Sequence, residues 1–254
     1  MQLSELAAIY AAYKATEILK VTSPDDVMWH SGGEWYFQIG ESGVECVLNG
    51  LRGSWLGGVN RILDLPCGHG RVARHLRAAF PAAELVCCDL DTEAVDFCVE
   101  HLGATGLYSK PELSQVDLPT DIDVVWVGSL FTHVDAERTT RWMKKLAEHL
   151  SPHGIIVATF HGLWSLSDHA RRPLINDLSW RAIFAQFLER GYGYAPYTEY
   201  DLGDYGISIS DPSWIMKMAT GIPGVRVVSY VERGWANNHD VLAITRNDRL
   251  AVQV

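Results

Sequence analysis

Several sequence features are missing from this chain of 254 residues, and each absence argues against one kind of protein or partner. No apolar run is long enough to cross a membrane, so we expect no membrane partner. The first twenty residues carry scattered charges instead of the uncharged core of a secretory signal, which predicts a cytoplasmic protein. Lysine and arginine number 21 against 31 aspartates and glutamates, and this net charge of −10 argues against nucleic acid as a partner.

The cysteines also lack the pattern of a metal site. There are five of them, an odd number, and no pair has the CxxC spacing. We expect reduced structural thiols and no bound metal, because this spacing supports neither a disulfide framework nor a zinc site. Cys87 and Cys88 are adjacent in an apolar run, so we expect their side chains on opposite faces of a strand.

From residue 60 onward, short apolar segments alternate with segments of helical periodicity. Strands are predicted at 61–65, 83–90, 105–109, 123–128 and 154–160, with helices at 70–80, 92–101 and 136–150. Two further strands, at 225–231 and 240–246, suggest an antiparallel pair at a sheet edge. The fold class is therefore α/β: a doubly wound, mostly parallel seven-stranded sheet whose last strand is antiparallel.

The flanking and interrupting segments suggest three parts. An apolar stripe at Leu3, Leu6, Ala7, Tyr10 and Tyr13 and a second helix at 36–51 form a predicted N-terminal helical cap over 1–58. The core comprises 59–163 and 212–254. Residues 164–211 contain one predicted helix, 178–190, and then a tyrosine- and glycine-rich stretch with Tyr192, Tyr194, Tyr197, Tyr200 and Tyr205. Because such an insertion is too long for a plain connection, we expect a lid that binds the acceptor.

The most informative segment is RILDLPCGHGRVARHL, in which a strand ends, a glycine turn follows and a helix begins. Cys67, Gly68 and Gly70 keep backbone amides there that a ligand can approach. The spacing also fits a loose dinucleotide fingerprint. However, Asp64 precedes Gly68 by four residues, and a carboxylate there would repel a pyrophosphate. It would attract the ammonium and sulfonium of S-adenosyl-L-methionine (SAM).

A second acidic residue follows at the distance expected of a ribose contact. Asp89 closes the second strand about 20 residues after the first glycine, where a carboxylate takes both ribose hydroxyls. This feature is shared by sites for NAD and for SAM, so it indicates a nucleoside without choosing between them. Capping of the next helix falls more naturally to Asp91.

Together these segments resemble a class I, Rossmann-like SAM-dependent methyltransferase of the bacterial small-molecule or glycan type. The matching pieces are ILDLPCGHG, ELVCCDLD, DVVWVGSLFTHV and LSPHGIIVATFHG, with the terminal strands VRVVSYV and DVLAITR. The resemblance covers about 58–163 and 212–246. The segment YFQIGESGVECV upstream is also similar to that group. One departure is Pro66, which stands where the family usually has glycine and offers no amide hydrogen.

The resemblance implies a set of cofactor contacts. Gly128, Ser129 and Leu130 would lie beside the methyl group, Leu90 would neighbour Asp89 at the nucleoside, and Ser109 would be a weak adenine contact. Tyr36 and Gly40 would touch the methionine end, unless they are packing residues. Arg71 would pair with the SAM carboxylate, unless it is a surface arginine of the first helical turn.

Methyl transfer to an alcohol needs a base, and two histidines follow strands at the predicted ligand edge. His133 comes after the fourth strand and His161 directly after the fifth, so both are candidate catalytic residues. His239, Asp168 and His169 are further candidates, and Trp180 and Trp214 could line an acceptor pocket with the lid tyrosines.

These observations predict a SAM-dependent methyltransferase, acting on the oxygen of a small molecule or sugar. Two alternatives stay open: an NAD(P)-dependent oxidoreductase using the same loop, and a SAM-binding protein without activity. The oligomeric state is not determined by the sequence.

Overall fold

The computed structural model describes residues 1–198 and 203–247. Its centre is a seven-stranded sheet with the strand order β3-β2-β1-β4-β5-β9-β8. Neighbouring strands are parallel from β3 to β5, whereas β9 runs antiparallel to both of its neighbours. This confirms the predicted doubly wound α/β sheet with an antiparallel last strand.

The elements lie close to the predicted positions. The strands are β1 Arg61–Asp64, β2 Glu84–Asp89, β3 Thr105–Tyr108, β4 Ile122–Val127, β5 Leu150–Phe160, β6 Tyr192–Pro196, β7 Gly206–Ser210, β8 Val225–Trp235 and β9 His239–Arg246. The α-helices are α1 Leu3–Ala15, α2 Val27–Gly32, α3 Trp35–Gly53, α4 Ala73–Ala79, α5 Thr92–Leu102, α6 Ala136–Glu148, α7 Leu163–Asp168, α8 Asp177–Arg190 and α9 Pro212–Thr220.

The sheet separates two apolar cores, as a parallel sheet covered on both faces requires. Cys87 packs in the core that contains α3 and α4, and Cys88 packs in the core that contains α6 and α9. The prediction that these two thiols face opposite ways is therefore confirmed. Helix α5 begins with Asp91, whose carboxylate accepts hydrogen bonds from the amides of Glu93 and Ala94.

Two boundaries differ from prediction. The helix expected from Gly70 begins as an α-helix only at Ala73, because the preceding residues form turns around the glycines. Strand β5 begins at Leu150, where the sequence predicts the end of a helix. Leu150 pairs with Ile122 on β4, and the Thr245 hydroxyl on β9 donates to the carbonyls of His153 and Gly154. These contacts with both neighbouring strands hold the segment in the sheet.

The insertion between β5 and α9 has more structure than predicted. It contains two helices, and part of the tyrosine-rich stretch is the antiparallel hairpin β6–β7; Tyr200 lies outside the described residues. A small core around Ile183, Ile207 and Ile209 holds it together. Strand β7 is anchored to the sheet, because the amides of Gly206, Ser208 and Ser210 donate to the carbonyls of His133, Thr132 and His161.

The N-terminal helices cover the sheet near the glycine turn. In α1 only Leu6 and Tyr13 of the predicted stripe are buried, while Leu3 and Tyr10 are exposed. Helix α3 packs closely on α4, and Gly40 permits this contact. No helix of the described residues is long and apolar enough to span a membrane.

We predict that Gly40→Ala destabilises the fold. A Cβ at this position would lie 2.3 Å from the Arg71 carbonyl oxygen and 2.4 Å from the His75 ring, so backbone must shift. The expected loss in the free energy of unfolding is about 1–3 kcal/mol, measured by urea denaturation. Gly57→Ala is the matched control, since its Cβ would meet nothing within 4 Å. Equal stability of the two variants would contradict the packing role of Gly40.

Candidate active site

A cavity of about 350 Å³ opens at the carboxyl edge of the sheet, beside the glycine turn. This is where the chain order reverses between β1 and β4, the switch point at which ligands bind in such sheets. Nine of the predicted site residues line it: Tyr36, Asp64, Cys67, Gly68, Arg71, Asp89, Gly128, Ser129 and His133. The topology thus brings together residues that lie almost 100 positions apart.

Asp64 is the most unusual group in the cavity. Its side chain is 1% exposed, and among the described residues neither carboxylate oxygen has a well-formed hydrogen bond, although the Ala73 amide is near enough to favour the charged form slightly. Burial, and secondarily the nearby Cys98 and Asp89, raise the pKa of its carboxyl well above the ordinary value. A buried carboxylate is costly unless a donor or cation meets it. The position therefore suits a cationic ligand.

Arg71 supplies the opposite charge. Among the described residues its guanidinium has neither a hydrogen bond nor an ion pair, and it lies 5.4 Å from the Trp235 ring centroid and 6.0 Å from that of Tyr36. Burial lowers its pKa, but an arginine stays charged under all ordinary conditions. Among the described residues, Asp64 and Arg71 therefore offer a carboxyl group and a guanidinium that no ion pair occupies, which suits the ammonium and carboxylate of an amino acid.

Asp89 shapes the glycine turn as well as the cavity. Its Oδ2 accepts a hydrogen bond of 2.7 Å from the Gly68 amide, and its Oδ1 accepts one of 3.1 Å from the Asp91 amide. Each oxygen keeps a lone pair for a further donor. Gly68 has φ +47°, in the left-handed region that favours glycine. Burial raises the pKa of Asp89.

His133 lies at the end of the cavity nearest the insertion, and a hydrogen bond fixes the tautomer of its ring. Its Nδ1 lies 2.7 Å from the Gly206 carbonyl oxygen. A carbonyl only accepts, so Nδ1 carries the hydrogen and Nε2 has a free lone pair. The ring stacks on Tyr205, with centroids 4.4 Å apart and planes 17° apart. Burial lowers the pKa of His133 to about 4, so the ring is neutral at pH 7.

The other predicted residues do not line the cavity. Gly40 and Gly70 serve packing, since a Cβ on Gly70 would lie 2.7 Å from Leu102. Leu90 is exposed at the sheet edge, and Ser109 and Leu130 are partly buried outside the cavity lining. His161 is buried behind His133, where its Nδ1 is 3.2 Å from the Ser208 carbonyl oxygen. The sequence placed these residues at the correct edge but could not show which way they face.

The remaining lid candidates also lie elsewhere. His169 stacks on Trp180 at 3.6 Å within the insertion, Asp168 pairs with Arg172, and Trp214 packs against Tyr192. His239 is buried beside His161, with ring centroids 4.8 Å apart.

Sequence reasoning missed several lining residues, which are Asp25, Asp26, Val27, Met28, Pro66, His69, Val72, Trp126 and Trp235. Four of these come from the segment just before and within α2, a part of the predicted N-terminal cap in which no site residue was predicted. Trp126 and Trp235 pack edge to face at 5.3 Å, and β8 had to extend past its predicted end to bring Trp235 here. Trp126 could have been found from the sequence, because it lies two residues before the predicted site residue Gly128 and residues two apart share a face of a strand.

Comparison with known proteins shows which folds and domains this chain is similar to. Residues 63–156 match the family model described as "Methyltransferase domain". A solved S-adenosylmethionine-dependent methyltransferase from Clostridium acetobutylicum has a TM-score of 0.56 at 14% identity, covering 96% of this chain and 98% of that one. The complex of DhpI with SAH gives 0.54 at 13% identity, covering 97% and 99%. No curated protein sequence matches.

A protein of the O-methyltransferase family from Burkholderia thailandensis has a TM-score of 0.54 at 15% identity, covering 96% of this chain and 67% of that one. The fold is the α/β fold of class I, Rossmann-like methyltransferases, as the sequence predicted, and the segment 63–156 is similar to a methyltransferase domain. The cofactor of that class is S-adenosyl-L-methionine, which is the cofactor predicted from the glycine turn.

We predict that the fold loses stability as the pH falls from about 6.5 to about 4. Burial lowers the pKa of His75 and His133 to about 4, of His161 to about 3, and of His239 well below its ordinary value. In this window the unfolded chain binds protons that the folded chain does not. Each such histidine lowers the free energy of unfolding by up to about 1.4 kcal/mol per pH unit of acidification.

The raised pKa values of Asp64 and Asp89 have the opposite effect, since these carboxyls bind protons in the folded chain that the unfolded chain does not bind. We expect the effect of the four histidines on stability to exceed that of the two carboxyls. Urea denaturation at a series of pH values measures the slope, and His161→Gln should reduce it. A flat profile, or a slope unchanged by that substitution, would contradict this account.

Proposed function

We propose that this protein is a SAM-dependent methyltransferase that methylates a hydroxyl of a small molecule or sugar. The observation that carries the proposal is the convergence, in one cavity, of an unpaired buried carboxylate, an unpaired arginine and a histidine with a free Nε2. The first two match the charged groups of methionine. The third is placed to accept a proton from the acceptor.

The cavity residues fit the cofactor better than they fit NAD. The Asp64 carboxylate would hold the ammonium, Arg71 the carboxylate, and the free lone pairs of Asp89 the ribose hydroxyls. Five aspartates line the cavity against the single arginine: Asp25, Asp26, Asp64, Asp89 and Asp91. Such a charge balance repels a pyrophosphate and favours a ligand with net positive charge. The same balance disfavours strongly anionic acceptors.

When bound, SAM supplies an electrophilic methyl group on its sulfonium. The role of His133 is then to hold the acceptor hydroxyl at Nε2 and take its proton as the new carbon–oxygen bond forms. A low pKa does not prevent this, because an alcohol oxygen becomes far more acidic as it is methylated. The low pKa also keeps His133 unprotonated and available at neutral pH.

The insertion would serve as the lid predicted from the sequence. Its Gly206 both accepts from His133 Nδ1 and donates its amide to the His133 carbonyl at 2.9 Å, so it fixes the side chain and the backbone of the base. Tyr205 closes the same end of the cavity by stacking on the imidazole. This arrangement orients the acceptor and keeps water from the reacting atoms.

A SAM-binding protein without activity is the second candidate. It shares every cofactor contact and differs only in turnover. Incubation with methyl-labelled SAM and a panel of hydroxyl-bearing small molecules and sugars separates the two. Label transferred to an acceptor supports the methyltransferase, and SAM binding with no transfer across the panel supports the alternative.

We predict that Asp89→Ala weakens SAM binding by about 10- to 100-fold. Loss of charge-assisted hydrogen bonds to the ribose costs about 1.5–3 kcal/mol. Isothermal calorimetry measures the dissociation constant, and the wild type should bind SAM but not NAD⁺. Asp117→Ala is the matched control, since Asp117 is exposed and does not line the cavity. Unchanged affinity in Asp89→Ala would refute the ribose contact.

We predict that His133→Ala lowers turnover by about 10²- to 10⁴-fold, the usual contribution of a general base, with SAM affinity near that of the wild type. Labelled methyl transfer to an acceptor found in the panel gives the rate, and calorimetry gives the affinity. His149→Ala, which alters a histidine at the opposite edge of the sheet, should keep full activity. Wild-type turnover in His133→Ala would place the base elsewhere.

A further inference from the structure

Three thiols meet beneath the glycine turn. Cys67 lies in the turn itself, Cys87 is on β2 and Cys98 is on α5, and their sulfur atoms all lie within 4.8 Å of one another. All three are buried and none is in a disulfide. No sequence pattern predicts this cluster, because its members come from three separate elements and have no local spacing. It plays no part in the methyl transfer proposed above.

The distances suit a shared cation. Three sulfurs that surround a metal ion in a plane, each at the ordinary zinc–sulfur distance of about 2.3 Å, lie about 4.0 Å apart. The three sulfurs, all within 4.8 Å of one another, lie in the range from which small side-chain movements reach this spacing. Thiolates are ligands that soft and borderline ions such as Zn²⁺ prefer.

A neighbouring charge gives independent support. Arg74 is 2% exposed, and its guanidinium donates only to backbone carbonyls and the Tyr36 hydroxyl. Among the described residues no carboxylate pairs with it within 4 Å. A buried cation without an anion is costly. Three thiolates around a divalent ion carry a net charge of −1, which this arginine would balance.

The Cys98 Sγ lies 3.4 Å from the Gly68 carbonyl oxygen, so the cluster contacts the glycine turn directly.

The geometry points to a binding site for a thiophilic divalent cation of the Zn²⁺ type, formed by Cys67, Cys87 and Cys98. As the three sulfur–metal bonds form, up to three protons leave to solvent, and nothing is oxidised or reduced. An occupied site would tie the cofactor turn to β2 and α5. This revises the expectation, drawn from spacing alone, that the thiols are only structural.

The test uses the reduced full-length protein titrated with Cd²⁺, whose thiolate complexes absorb in the ultraviolet. We expect a charge-transfer band that saturates at one equivalent, with proton release detected by a pH indicator. Thermal denaturation should show a higher midpoint with one equivalent of Zn²⁺, because the ion binds the folded state. If the wild-type protein shows no band, or a band that does not saturate at one equivalent, this result is sufficient to refute the proposal.

Matched variants locate the site. Cys87→Ser should lose the band, whereas Cys88→Ser, altered one position along the same strand but on its opposite face, should keep it. Circular dichroism checks that each variant is folded, and Cys98→Ala replaces Cys87→Ser if the latter is not. Equal bands in the two serine variants would show that the ion binds elsewhere and would refute the assignment.

Discussion

The Asp64 carboxylate is the constraint on which the site depends. Strand β1 carries it into the centre of the sheet, where both oxygens are shielded from water and neither has a partner. Burial raises the pKa of this carboxyl well above its ordinary value, so the group favours its protonated form unless a cation meets it. Arg71 lies over aromatic rings, and among the described residues it has no ion pair within 4 Å. In the proposed function, a ligand with an ammonium and a carboxylate would satisfy both groups at once.

The second organising element is the insertion between β5 and α9. Its hairpin is hydrogen-bonded to the loops that follow β4 and β5, and through Gly206 it fixes the tautomer of His133. In the proposed function, the sheet and the N-terminal segment would form the cofactor end of the cavity, and the insertion would form the acceptor end. Such a division would let the same core serve different acceptors, because the insertion could vary without disturbing the glycine turn.

Much of this was accessible from the sequence. The order of strands and helices, the glycine turn, and the positions of Asp64, Asp89 and His133 followed from local patterns that have direct physical causes. Gly40, Leu90 and His161 show where such reasoning stops, since each lies near the correct edge yet faces a packing contact or solvent. Position along a strand predicts the edge, but the twist of the sheet and the packing of covering elements decide which side chains reach the cavity.

The sequence by itself determined the fold class and the chemical character of the glycine turn, because hydrophobic periodicity and the conformational freedom of glycine are local properties. Only the tertiary structure decided which distant residues meet. It placed Trp235 against Trp126, paired the insertion with His133, and brought three cysteines from separate elements together beneath the turn. These contacts depend on the mutual packing of elements far apart in the chain, and no short segment contains that information.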